Sequence, residues 1–357
     1  MKKLNVLHIS PDFNYTCGVS KYISLIFAEL IKYDNINLFF ITNGGDSLQR
    51  ITSLGIEPHI INFSKGIKNL KYFFRNIIEL KNFCKEKSID IIHTHHRYPE
   101  LISNLIKKDL NVKTVTTVHS IVHGYKCLSF KSDIVMAVSK TVKENLTTNF
   151  GVNPSKVVQI YNPVAKNLVP LEKKEIRQKF GLNDNEVVIL FVGRFTKEKG
   201  VYLLLNAFNM ISDENINLKL FVITDREKSE LKLENDVYFF PVSNNIEEYY
   251  TLSDAVIMPS LIESFPYVML EAGLYKKVFI GAEVGGIKEF ITDGLNGLLF
   301  KPNSEEEIVR IIKVFLSMNN TEKEKLSMNL HKKVTSLYDV ESYVETLINI
   351  YNSLIQK

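Results

Sequence analysis

The stretch NVLHISPDFNYTCGVSKYISLIFAELIKYDNINLFFIT, Asn5 to Thr42, holds one whole structural unit. It opens on an apolar run, Asn5 to Ser10, and continues through a helical period from Tyr22 to Lys32 to a second apolar run, Asn37 to Thr42. Short, nearly continuous apolar runs separated by a helix mark parallel strands buried on both faces, because the returning helix covers one face of the sheet. The alternation goes on with Pro58 to Asn62, the helical period Ile67 to Lys87, Asp90 to Thr94, Val112 to Val118 and Asp133 to Val138. It resumes with Val187 to Val192, Leu218 to Ile223, Val237 to Phe240, Ala255 to Met258 and Lys277 to Ile280. The expected fold class is α/β, with two doubly wound domains in tandem.

The 357 residues, 45% hydrophobic and 24% charged, suit two ordinary domains and exclude a disordered chain. Two prolines in YNPVAKNLVPLE, Tyr161 to Glu172, interrupt both periods and mark the boundary. The expected domains are 1–165 and 166–340, with a last helix, 341–357, crossing back onto the first. Cys17, Cys84 and Cys127 are widely spaced and odd in number, which argues against a disulfide framework and for a reducing, cytoplasmic compartment. The apolar start MKKLNVLHIS is too short for a secretory signal, and no run approaches the roughly 20 residues of a spanning helix. Residues 1–166 hold 22 Lys and Arg against 12 Asp and Glu, a balance of +10, which leaves −6 for the rest of a chain whose total is +4. Such asymmetry points to an anionic partner for the first half.

The most informative motif is PSLIESFPYVMLEAGLYKKVFIGAEVGGIKEF, Pro259 to Phe290. It follows a buried strand, puts Glu263 in a loop and Pro266 at a helix start, and sets Glu271 eight residues after Glu263. Amides around Phe265, Pro266, Tyr267 and Val268 would face an anion, aided by the helix dipole, and the two carboxylates would grip different hydroxyl pairs of one ligand. The second motif, GRFTKEKG, Gly193 to Gly200, follows the strand Val187 to Val192 and offers Arg194 and Lys199 from one turn, where two cations can neutralise a departing diphosphate.

Together these motifs resemble the retaining glycosyltransferases of the GT-B fold, family 4 (glycosyl transferases group 1), of the bacterial polysaccharide type. The resemblance covers most of the chain and is strongest from Val187 to Phe300. It implies two Rossmann-like domains facing across a cleft, the first for acceptor and the second for a nucleotide-sugar donor. It also implies sugar transfer with retention to an acceptor hydroxyl, with a lipid-linked glycan of surface polysaccharide as the expected acceptor. By the same resemblance Glu263 lies by the donor sugar, Glu271 holds the ribose, Arg194 and Lys199 bind the diphosphate, and Ser264 belongs to the donor loop. His119, at the end of Val112 to Val118, corresponds to a histidine near the sugar's C6 hydroxyl. The family usually carries Gly after the first Glu and again three positions after it; here Ser264 and Pro266 stand there.

In the first half, PDFNYTCGVS, Pro11 to Ser20, follows a strand and precedes a helix, and Gly18 suits close approach of backbone to phosphate. HTHHR, His93 to Arg97, ends another strand, so His95, His96 and Arg97 are candidate acceptor contacts. His93 and His95 are expected on alternate faces with no acidic ligand close by, which disfavours a metal site. No Asp-x-Asp occurs, so no metal or cofactor is expected beyond a UDP-sugar as co-substrate. In Ser64 to Lys87, Lys68, Lys71 and Arg75 share one helical face while Leu70, Phe73, Phe74 and Ile77 form an apolar stripe. That helix suits the core or an anionic membrane surface, which would make the protein peripheral on the inner face of the cell membrane. The alternatives are a nucleotide-sugar epimerase of the same architecture, against which the paired glutamates speak, and a nucleic-acid-binding protein. No stacking motif or known module supports the latter, so nucleic acid is not an expected partner.

Overall fold

The computed structural model describes residues 3–63, 69–165, 171–212, 217–225, 236–242, 245–336 and 339–356. The chain divides into two compact units, Met1–Ala165 with Tyr338–Lys357, and Lys166–Leu337. The division falls inside the proline-broken stretch 161–172, of which 166–170 lie outside the described residues.

The first unit begins with β1 (Leu4–Ile9), α1 (Gly18–Leu30), β2 (Ile36–Thr42), α2 (Gln49–Thr52) and β3 (His59–Ile60). It continues with α3 (Leu70–Glu86), β4 (Ile91–Thr94), α4 (Arg97–Leu110) and β5 (Lys113–Val118). β6 (Ile134–Ala137), α5 (Lys140–Glu144) and β7 (Val157–Gln159) complete that run. All strand pairs are parallel, in the order β3-β2-β1-β4-β5-β6-β7, so the order reverses between β1 and β4, where doubly wound sheets bind ligands beyond their carboxyl ends. Val6, Leu7 and Ile9 of β1 are wholly buried, which is why the run reads as continuously apolar.

The second unit carries α6 (Lys173–Lys179), β8 (Val187–Val192), α7 (Val201–Ser212), β9 (Leu218–Thr224), β10 (Val237–Pro241) and α8 (Ile246–Leu252). It goes on with β11 (Ala255–Met258), α9 (Tyr267–Leu274), β12 (Val278–Ala282), α10 (Gly285–Phe290) and β13 (Leu298–Phe300). α11 (Glu305–Ser317) and α12 (Asn320–Ser336) end it. Its parallel strands run β10-β9-β8-β11-β12-β13, again reversing at the first strand. Ile189, Phe191, Leu220, Val222, Ile257 and Ile280 form the middle of its core.

The last helix, α13 (Val340–Ile355), belongs to the first unit. Asp339 caps it by accepting from Ser342 N at 2.8 Å. Tyr343, Leu347 and Tyr351 are buried, and the Tyr343 and Tyr22 hydroxyls bond at 2.8 Å, tying α13 to α1. Asp339, Glu341 and Glu345 bring acidic charge back into the basic unit. β7 and β13, at the edges of the two sheets, were not expected from the sequence. α3 starts at Leu70 behind Asn69, which accepts from Lys71 N at 3.0 Å; Lys68 lies outside the described residues.

Candidate active site

In the second unit three connections at the carboxyl ends of β8, β11 and β12 press on one another. Gly200 ends the turn 193–200 at φ +69°, and a Cβ there would sit 2.0 Å from the Pro259 carbonyl oxygen. Leu261 N donates to Glu198 O at 2.8 Å, and Gly286 N donates to Glu263 O at 3.1 Å. A Cβ on Gly285 would lie 1.8 Å from Glu263 O, and one on Gly286 1.8 Å from Ser264 O. The loop 259–266 is therefore clamped backbone to backbone from two sides, which only glycine permits. Asp225, just after β9, accepts from Phe195 N at 2.8 Å and pins the turn 193–200.

This clamp presents the side chains singled out in the sequence. Lys199 Nζ donates to Glu263 Oε1 at 2.5 Å, with the Glu263 side chain only 8% exposed. Arg194 is exposed beside them in sequence, and Ser264 is buried. Pro266 is the N-cap of α9 rather than its first helical residue, and no side chain caps the helix. Pro266 has no N–H, and Phe265 is buried with its ring edge-on to Phe290 at 5.4 Å. Of the expected anion-facing stretch, Tyr267 and Val268 thus supply the helix amides. Glu271, in the second turn of α9, accepts from the Tyr250 hydroxyl at 2.5 Å. Tyr250 is fully buried, stacks on Tyr275 at 5.1 Å, and burial holds its phenol well above the usual range, so it stays a donor. Sequence reasoning missed Tyr250, whose only trace is its place in YYTLSD ahead of β11.

In the first unit the histidines gather on one face of the sheet. His8 of β1 and His93 of β4 are register partners, and the His93 and His95 rings stack at 4.6 Å. This corrects the expectation of alternate faces: residues two apart on an extended chain share a face. His95 is buried with Nε2 3.0 Å from His8 Nδ1 and Nδ1 3.1 Å from His119 Nε2, so both its ring nitrogens are engaged by neighbouring histidines. His119 is partly exposed just beyond β5. Desolvation, with His96 and His93 adding to it, keeps His119 well below the usual histidine range and hence neutral. Burial lowers His93 to about 3.

His96 is the N-cap residue of α4, its Nδ1 buried without a hydrogen-bond partner among the described residues. Arg97 spends its guanidinium on the connection after β5, donating to His123 O at 3.1 Å and Gly124 O at 2.9 Å. Buried Glu100 holds the far end of that connection, accepting from the amides of Phe130, Lys131 and Ser132. Arg97 thereby anchors that connection. Gly18 is the exposed first residue of α1, and Cys17 before it makes no side-chain cap.

Residues 172–333 match the model of glycosyl transferases group 1, and residues 17–167 match that of glycosyltransferase family 4. The chain belongs to the family 4 glycosyltransferases. It is 25% identical to an uncharacterized glycosyltransferase of Methanocaldococcus jannaschii, over 98% of this chain and 99% of that one. It is 22% identical to the capsular polysaccharide biosynthesis glycosyltransferase CapM of Staphylococcus aureus, over 100% and 99% of the two chains. Among solved structures, a glycosyltransferase from Rickettsia africae superposes with a TM-score of 0.85 at 23% identity over the whole of both chains. HepE of Anabaena in complex with UDP-glucose does so with 0.83 at 17%, over 98% of this chain and 100% of that one. The fold is GT-B. Every residue expected at the donor falls in one matched segment or the other, whereas His8 and α13 of this glycosyltransferase lie outside both. No helix among the described residues is long and apolar enough to cross a membrane.

Proposed function

We propose that this glycosyltransferase moves a sugar from a UDP-sugar to an acceptor hydroxyl with retention at the anomeric carbon and without a metal. The observation that carries the reading is the Lys199–Glu263 pair, held by three glycine-clamped connections at the carboxyl edge of the second sheet. The C1–O bond to the diphosphate breaks as the acceptor oxygen bonds to C1 on the same face, and the acceptor's proton passes to the leaving phosphate oxygen. Positive charge builds at C1 and negative charge on UDP. Arg194, Lys199 and the uncapped amides at the start of α9 meet the diphosphate, Glu263 orients the sugar, and Glu271 the ribose. His119, neutral and partly exposed, supplies a hydrogen bond to the sugar, and Gly18 lets the first unit's backbone come close to phosphate.

Exposed Arg194 gives the cleanest test, since its removal strands no buried partner; R194A should lower kcat by about 10²–10³ with UDP-sugar as donor. K199A should fall further because it also leaves Glu263 buried and unpaired. Near-normal turnover in R194A, K199A and E263A alike refutes the assignment.

The acceptor side rests on α3. Its inward stripe is Phe73, Ile77, Leu80 and Cys84, while Leu70, Phe74 and Ile78 stand 76%, 59% and 58% exposed beside the exposed Lys71 and Arg75. We assign this second stripe to an anionic membrane surface on the cytoplasmic side, where a lipid-linked glycan acceptor of surface polysaccharide would be met. The capsular relative and the +10 first half support that reading. Each cation near such a surface contributes about 1 kcal/mol. The enzyme should sediment with phosphatidylglycerol vesicles at low salt and be released by F74E; binding unaffected by F74E removes the helix from the account.

A further inference from the structure

Behind His119 runs a line of buried side chains that the transfer reaction itself does not explain. Thr117 Oγ1 is 2.7 Å from His93 Nε2, and His93 Nδ1 is 2.7 Å from the Tyr351 hydroxyl. That hydroxyl is 3.2 Å from His8 Nε2, His8 Nδ1 is 3.0 Å from His95 Nε2, and His95 Nδ1 is 3.1 Å from His119 Nε2. The line ends there, because His119 Nδ1 has no hydrogen-bond partner among the described residues. Strand register builds it: His8 and His93 are partners on β1 and β4, while His95 and His119 each stand two residues beyond an inward-facing neighbour, His93 and Thr117.

Burial keeps His8, His93 and His95 far below the ordinary histidine range, so each ring is a neutral imidazole with one donor nitrogen and one acceptor nitrogen. Every link joins a ring nitrogen to another nitrogen or to a hydroxyl, so each ring passes the polarity of its hydrogen bond on to the next. If His119 carries its proton on Nε2, it donates to His95 Nδ1. His95 then donates from Nε2 to His8 Nδ1, His8 from Nε2 to Tyr351, Tyr351 to His93 Nδ1, and His93 from Nε2 to Thr117. Reversing the line puts all four protons on Nδ1. A mixture along His119, His95 and His8 faces two donors, or two lone pairs, across a buried contact, and one between His8 and His93 leaves either the Tyr351 hydroxyl proton or one imidazole lone pair unpaired; each forfeits about 1–3 kcal/mol.

We propose that His8, His93, His95 and Tyr351 are positioning residues of a tautomer relay that makes the four imidazoles change together, so that His119 offers the substrate either an N–H or a lone pair without ionising. The inference rests on His119 facing substrate. It ties that residue to α13, which contributes Tyr351 from 232 positions later in the chain. A zinc site at His8, His93 and His95 is the competing account, since one nitrogen from each lies within 4.8 Å of the others. Their rings are stacked or tilted, at 16°, 27° and 39°, rather than convergent on one point, and among the described residues no carboxylate hydrogen-bonds to any of them. Zinc there would have to turn these rings out of their stacks and break their hydrogen bonds to one another and to Tyr351.

Long-range proton–nitrogen correlation spectra of the full chain, labelled with nitrogen-15 histidine, read each ring's tautomer directly at pH 7.5 and need no catalysis. The expected result is one shared tautomer for His8, His93, His95 and His119, unchanged by one equivalent of zinc. Y351F, melting close to the wild type, should leave His8, His95 and His119 in a common form while His93 chooses independently. Mixed tautomers or imidazolium rings in the wild type overturn the relay, and so does a joint shift of three rings on adding zinc. If Y351F fails to fold, the wild-type spectrum decides alone. Should R194A, K199A and E263A leave turnover intact while the four rings agree, the functional reading fails and the relay stands.

Discussion

Replacing Gly200 by Ala tests whether the glycine clamp holds the donor side chains in place. Two effects separate cleanly. The backbone at φ +69° is left-handed, which costs an L-residue about 1–2 kcal/mol. The new Cβ would also lie 2.0 Å from the Pro259 carbonyl oxygen, where an ordinary contact begins near 3.4 Å, so two backbone segments must part by more than an ångström. Gly181 provides the control: its φ is +66° and a Cβ there meets nothing within 4 Å. G181A should therefore lose about 1–2 kcal/mol in urea unfolding and keep its turnover. G200A should lose more and move Lys199 relative to Glu263, lowering kcat by about 10²-fold, since misplacement by 1 Å has that effect at a reacting centre. Urea melts and initial rates on both variants suffice. If G200A matches G181A in rate, the clamp does not position the site.

Y250F removes the hydroxyl that donates to Glu271 and should raise the UDP dissociation constant about tenfold, in line with a charge-assisted hydrogen bond of about 1.5–3 kcal/mol partly replaced by water; calorimetry with UDP checks it. Lys277 donates to Thr251 O and Ser253 O, and burial pulls its pKa down to about 7, below an unfolded value of 10.5. Between those values the unfolded chain holds a proton the folded one lacks, so stability rises with pH across that window and is lost as pH falls through 7. K277M should flatten the urea-derived slope by about 1.4 kcal/mol per pH unit. E100A should cost about 3–5 kcal/mol, because three amides lose a buried acceptor, and hydrogen exchange should quicken at 130–132.

Strands buried on both faces were legible because burial itself writes the continuous apolar run; β8 and β11 came out with their observed bounds. β7 and β13 were not, since three residues at a sheet edge have no period to show. The motifs Gly193 to Gly200 and Pro259 to Phe290 were legible as local strings, but their contacts were not. Nothing in the sequence says that Lys199 meets Glu263 across 64 residues, or that Tyr250 meets Glu271. The histidines were legible one at a time, and what joins them is strand register plus a helix from the far end of the chain. Counting faces correctly along His93 and His95 would have put two of them together.

The Lys199–Glu263 pair sets the two tasks assigned to these residues against each other, with a consequence that a list of binding residues would miss. Lys199, the cation proposed for the diphosphate, is already engaged by a carboxylate only 8% exposed. An arriving diphosphate must share that cation, and part of its binding energy goes into loosening the pair. At about 4 Å and an effective dielectric near 20, a unit charge pair interacts by about 4 kcal/mol, which sets the scale of what the carboxylate withholds from a phosphate. Glu263→Gln keeps the shape and a hydrogen-bond acceptor but removes the competing charge. It should therefore bind UDP more tightly, by about tenfold if a third of that interaction is recovered, while turnover of a UDP-sugar falls because the sugar loses its orienting carboxylate. Calorimetry with UDP and initial rates on the same preparation separate the two. Weaker or unchanged UDP binding in E263Q would show that Glu263 holds Lys199 ready for the diphosphate and does not compete with it.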